Sequence, residues 1–197
     1  MRLSALFLGL ALCLPAHATS HLEKAYATGE PIPKPMVLSR LIEFSQARKA
    51  PETTFTNDAG QAVSLADHRG EVVLLNLWAT WCGPCRKELP EMERIRKAYE
   101  GRGLTVVPLN IDQEATLPDD VRALLKQIGE PEMATWYDPE HRIGATVPVN
   151  VVPATYLFDG EGNLIGFVRG YLDWEDEAIP AYLDQLIDKY AEPPSAG

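Results

Sequence analysis

The sequence predicts an α/β fold: a central mixed sheet flanked by helices. Two nearly continuous apolar runs, VVLLNLWA (72–79) and LTVVPLNID (104–112), read as strands buried on both faces. Between and after them come stretches with apolar residues at spacings of three and four, the helical period. Two pairs of short strand-like runs flank turn residues, Asn57 to Gly60 and Gly160 to Gly162, and read as hairpins.

In chain order, the first 18 residues look like a secretory signal. Arg2 supplies a positive start, Leu3 to Leu14 an apolar stretch of about a dozen residues, and Ala16-His17-Ala18 a small-x-small cleavage site. The stretch is short for a membrane span, although an uncleaved signal would anchor the chain. Residues 19–50, with Pro31, Pro33 and Pro35, read as a linker. Within it, 37–48 places Leu38, Leu41 and Ile42 on one face of a short expected helix.

The main domain is expected over 51–190. After the 55–65 hairpin and the first buried strand, Leu89, Met92, Ile95 and Tyr99 mark a helix that ends at Gly101 and Gly103. Thr116 and Asp119 suggest the start of the next helix, which runs through Val121, Leu124, Leu125 and Ile128 to Gly129. MATWYD (133–138) reads as a strand. A last helix spans about 175–190, its start drawn toward Pro180. Residues 191–197 form a tail.

The net charge of −10 argues against nucleic acid as a partner, because phosphate binding needs a basic face. Cysteine usage is sharper. There are three cysteines, and Cys13 lies inside the expected signal, leaving Cys82 and Cys85. A disulfide between them closes a tiny loop and constrains the unfolded chain little. The pair is badly placed for stability and well placed for chemistry. Cys82 stands where a buried strand meets a helix, so unpaired N–H groups and the helix dipole favour its thiolate. Cys85, one turn on, is expected to be more buried. Cys82 is the candidate nucleophile and Cys85 the resolving thiol. Pro84 suits an early helix position, and Gly83 leaves room for a partner chain. A zinc site would need a second ligand pair, and haem attachment would need His where Arg86 stands. No metal site and no cofactor beyond the redox-active disulfide are expected.

The segment NLWATWCGPCRKELP (76–90) resembles the active-site stretch of the TlpA/ResA branch of exported thioredoxin-like proteins. The likeness extends from about residue 51 to 190 through SLADHRG (64–70), PATYLFD (153–159), Gly162, Gly170 and Asp173-Trp174. It implies a thioredoxin-like fold with an N-terminal hairpin and a central helix–strand insertion between Cys85 and Pro153. It implies that Pro153 is a cis-proline facing the dithiol, and that the backbone of Val152 pairs with a partner's extended chain. The pattern also has a glutamate at Glu88, expected to tune the cysteines or relay a proton. Asn76 stands where ordinary thioredoxins carry a buried acid, which makes Glu88 the leading proton-handling group. Trp81 is a candidate docking surface and Trp78 a core residue.

The expected activity is that of a monomeric periplasmic or secreted thiol–disulfide oxidoreductase that reduces client disulfides. The resemblance implies electrons from a membrane thiol-reductase and clients such as cytochrome c maturation or copper-site assembly factors. The alternatives are a disulfide oxidase or isomerase, a copper-binding chaperone using both thiols as soft ligands, and a thiol peroxidase, for which no peroxidatic cysteine pattern is evident.

Overall fold

The computed structural model describes residues 22–113 and 118–192. The expected signal (1–18), Thr116 and most of the expected tail lie outside them.

The strands are β1 (Lys24–Ala27), β2 (Ile42–Lys49), β3 (Thr54–Asn57), β4 (Ala62–Ser64), β5 (Val72–Trp78), β6 (Leu104–Asn110), β7 (Trp136–Tyr137), β8 (Ala154–Phe158) and β9 (Asn163–Arg169). The helices are α1 (Gly83–Tyr99), α2 (Pro118–Gln127) and α3 (Ile179–Tyr190). The strands form one sheet in the order β1-β2-β9-β8-β5-β6-β7-β3-β4. β5 runs parallel to β6 and antiparallel to β8, so the sheet is mixed.

All seven residues of β5 are buried. The reason is two-sided packing. Val73, Leu75 and Leu77 join a core with Val121, Leu124 and Leu125 of α2. Val72 and Leu74 join a second core with Met92 and Ile95 of α1 and Leu183 and Leu186 of α3. The period-two alternation of a strand thus feeds two cores at once.

The segment 37–48 corrects the expected helix. Only Met36–Leu38 turns, as a 3-10 element, and Ile42–Lys49 is strand β2. Leu38 and Leu41 are buried, whereas Ile42 faces outward. The helix-like spacing came from apolar residues divided between a turn and a strand. The segment read as a linker therefore supplies two strands, with β2 pairing to β9. MATWYD contracts to a two-residue strand, Trp136–Tyr137. The last helix starts at Ile179 with Pro180 in its first turn. Where the resemblance implied an insertion, α2 and β7 lie between β6 and β8.

Candidate active site

Cys82 follows β5 after the short loop 79–81 and is the N-cap of α1, with extended backbone angles. Pro84 occupies the first turn, where its missing N–H costs nothing. Cys82 and Cys85 form a disulfide, with Cα atoms 5.3 Å apart. The Cys85 N–H donates to Cys82 Sγ at 3.2 Å. The helix end thus aims a backbone donor and its positive pole at this sulfur, and both favour negative charge there when the pair is reduced. Cys82 is only 4% exposed and Cys85 0%. Cys85 is thus the more buried of the two, as expected, and Cys82 is itself almost covered in the disulfide form, because Cys85 and the surrounding core pack against it.

The loop before Cys82 is held on both sides. Asp112, just past the end of β6, accepts from the Thr80 N–H at 2.8 Å. Arg86, in the first turns of α1, donates Nε and Nη2 to the Thr80 carbonyl at 3.2 and 2.7 Å. Asp112 is buried and is itself held by Asn110 Nδ2 at 2.8 Å. The two peptide units that flank the Thr80 Cα are thus gripped, one at its donor by an acid and the next at its acceptor by a guanidinium. Trp81, next along, projects into solvent at 70% exposure.

The Val152–Pro153 peptide is cis. β8 begins at Ala154, paired with Leu77 near the end of β5, which sets Pro153 beside the strand that delivers Cys82. Ala154, Cys82 and Cys85 share one buried cluster, and Val152 packs against it. Pro153 is buried, Val152 is half-buried, and its neighbour Val151 is 40% exposed. Gly83 and Pro84 are exposed, and a Cβ added at Gly83 would meet nothing within 4 Å. Exposed Trp81 and Val151 thus lie close in sequence to the disulfide and the cis-proline.

Glu88, on α1 with Cys85, is a buried carboxylate at 1% exposure. Its Oε1 accepts from Trp174 Nε1 at 2.9 Å and from the Leu172 N–H at 3.1 Å. Its Oε2 accepts from Asn76 Nδ2 at 3.0 Å. Asn76 also donates to Thr155 Oγ1 at 3.0 Å, its register partner on β8. The Asn76 Oδ1 atom is buried and unpartnered among the described residues. Burial pushes the Glu88 carboxyl above its ordinary value; the bonds from Leu172, Asn76 and Trp174 oppose that, and the charge of Glu91 adds to it. Glu91 fixes the same segment, accepting from the Tyr171 hydroxyl and the Trp174 N–H.

Asp112, Arg86, Val151 and Trp174 escaped the sequence reading as members of the site. Asp112 closes an apolar strand that ends in Asn-x-Asp, the one local signal that a buried polar group was coming. The hold of Trp174 on Glu88 spans 86 residues and left no local trace.

The chain is similar to known proteins over most of its length. The AhpC/TSA family model matches residues 47–166. Thiol-disulfide oxidoreductase ResA of Bacillus cereus is 28% identical over 139 residues, covering 71% of this chain and 77% of the relative. Thiol:disulfide interchange protein DsbE of Allochromatium vinosum is 33% identical over 153 residues, covering 76% and 77%. Among solved structures, a DsbF homologue from Corynebacterium diphtheriae superposes with a TM-score of 0.63 at 25% identity, covering 75% of this chain and 94% of that one. A secreted thiol-disulfide isomerase from Corynebacterium glutamicum gives 0.66 at 22% identity, covering 84% and 99%, and carries the thioredoxin-like fold alone.

Proposed function

This chain belongs to the AhpC/TSA family and is a thiol–disulfide oxidoreductase of the ResA/DsbE type; from that premise we propose that it reduces disulfides of client proteins outside the cytoplasm. The observation that carries the reading is the Cys82–Cys85 pair at the N-terminus of α1, with a backbone N–H on Cys82 Sγ.

In the proposed cycle the Cys82 thiolate attacks one sulfur of a client disulfide. An S–S bond forms between Cys82 and the client, and the other client sulfur leaves as a thiolate. Cys85, as thiolate, then attacks Cys82 Sγ, the mixed disulfide breaks, and the second client sulfur leaves. Two electrons pass to the client, and the disulfide form described above is the product. Thiols of a membrane reductase restore the dithiol. Cys85 must lose a proton for its attack. Glu88, buried on the same helix with a raised pKa, is proposed to accept it or to set the order in which the sulfurs ionise. Pro153 and Val152 present backbone to the client's extended chain. Trp81, Gly83 and Pro84 form the open surface beside the nucleophile.

Gly-Pro between the cysteines, as in reducing thioredoxins, favours the reductive direction. The TlpA/ResA resemblance and the signal-like N-terminus support an exported location. The same resemblance supports cytochrome c maturation or copper-site assembly factors as clients.

Equilibration of the dithiol against glutathione tests direction. A reductase should fall near the thioredoxin range, about −270 mV, and a value near about −120 mV would make the protein an oxidant instead. A Cys85→Ser variant should stall as a mixed disulfide with its clients and thereby identify them. If Cys82→Ser still exchanges disulfides, the cysteine assignment fails.

A further inference from the structure

On the sheet face opposite α1 and α3, a groove of about 330 Å³ runs between β2, β8, β9 and the loop 146–148. Its floor is aromatic: Phe44 meets Phe167 edge to face, and Tyr156 lies tilted against Phe167. Phe44 and Phe167 are only partly buried. Arg48 and Arg169 line the groove, and among the described residues no carboxylate does. Neither guanidinium forms an ion pair among the described residues. Arg169 stacks on the Phe167 ring at 4.8 Å, and Arg48 reaches only the Leu22 carbonyl at 3.5 Å. In a chain of net charge −10, two cations without carboxylate partners on an aromatic surface are a local inversion of charge.

The groove is tied to the redox centre. Arg169 pairs in register with Ala154, the residue after the cis-proline. The next residue, Gly170, donates its N–H to the Pro153 carbonyl at 2.7 Å. Tyr156 donates its hydroxyl to the carbonyl of Pro148, in the groove wall. The groove wall is therefore joined through β9 and Gly170 to the cis-proline.

We propose that this groove, resting on the oxidoreductase reading above, selects clients whose polypeptide carries an apolar or aromatic side chain flanked by carboxylates near the target disulfide. The ring floor takes the apolar side chain, and Arg48 and Arg169 take the acids. Charge complementarity of this kind raises encounter and fixes register, and it weakens with salt. The groove sets which disulfides reach Cys82 and leaves the exchange chemistry to the cysteines.

The test uses the full reduced chain and two disulfide-bridged peptides that differ only in Glu or Lys beside one Phe. The Glu peptide should be reduced with kcat/KM about ten-fold above the Lys peptide, as two surface ion pairs allow. Added salt should narrow the gap, and the double variant Arg48→Gln, Arg169→Gln should close it. Equal rates in the wild type, or a gap that survives in a folded double variant, would overturn the proposal. Peptide discrimination that emerges only after residues 1–21 are removed would overturn it in favour of the chain's own N-terminus as occupant. A concentration-dependent dimer that blocks peptide reduction would do so in favour of a second copy. Wild-type turnover of a small disulfide bearing no peptide reports on the oxidoreductase reading alone. Its failure sinks that reading, whereas its success beside equal peptide rates sinks only the groove.

Discussion

Replacing Glu88 by Ala and by Gln separates what its charge does from what its oxygens hold. Alanine removes both oxygens. Asn76 keeps Thr155, but the Leu172 N–H and Trp174 Nε1–H lose their buried acceptor. At about 1–3 kcal/mol for each orphaned donor, the loss is about 2–6 kcal/mol, a large share of a domain's usual stability. Glutamine keeps an oxygen for those two donors. Its NH₂ would then face Asn76 Nδ2, and turning the Asn76 amide presents Oδ1, which has no partner in the native arrangement. Glu88→Gln should therefore stay within about 1 kcal/mol of wild type in acid. The pH dependence has a definite sign. Because burial raises the Glu88 pKa, the folded state holds its proton more tightly than the unfolded chain does. That stabilisation is complete below the unfolded carboxylate value of about 4.3 and is lost as pH rises through the raised folded value. Glutamine does not titrate, so the variant should gain on wild type between acid and neutral pH. Urea unfolding of the three oxidised proteins from pH 4 to 8 measures all of this. An alanine variant within 1 kcal/mol of wild type, or a flat wild-type-to-glutamine difference across pH, would refute the reasoning.

Other perturbations follow from the same geometry. Asp112→Ala should loosen the Thr80 peptide and slow client exchange more than small-disulfide exchange, with Asp112→Asn restoring much of the loss because its oxygen still accepts the N–H; equal slowing of both reactions would argue against a positioning role. Trp81→Ala should raise KM for protein clients several-fold with little change in melting temperature, since the ring is largely in solvent, and a cooperative drop in stability would show it to be structural. Gly160→Ala should destabilise by about 1–3 kcal/mol or more, because the new Cβ would fall 1.8 Å from the Ala191 carbonyl oxygen; an unchanged urea midpoint would show that the C-terminus of α3 can move aside.

The parts legible in the sequence were those whose cause is local. A nearly continuous apolar run announces a strand covered on both faces, and a cysteine just past its end meets a helix terminus whatever the rest of the chain does. Hence Cys82, Cys85 and the central strands were readable. Glu88 was readable through the family resemblance as a candidate to tune the cysteines or relay a proton, but its surroundings were not. Its burial depends on Trp174 and Leu172, which arrive from the far end of the chain. Strand β2 was misread for a related reason. Its residues IEFSQARK alternate poorly because Ile42 faces solvent while Ala47 is fully buried. Pairing with β9, more than one hundred residues on, makes it a strand, and no local pattern records that pairing.

That pairing also sets a schedule. A chain emerging from its N-terminus, whether from a ribosome or through a membrane pore, exposes Ile42–Lys49 long before Asn163–Arg169 exists to receive it. Contacts between such distant segments form late, after their loop entropy has been met. Until then the ring of Phe44 and the edge of β2 stay available to whatever else is nearby, so the waiting strand is where a holding chaperone should bind and where premature aggregation should begin.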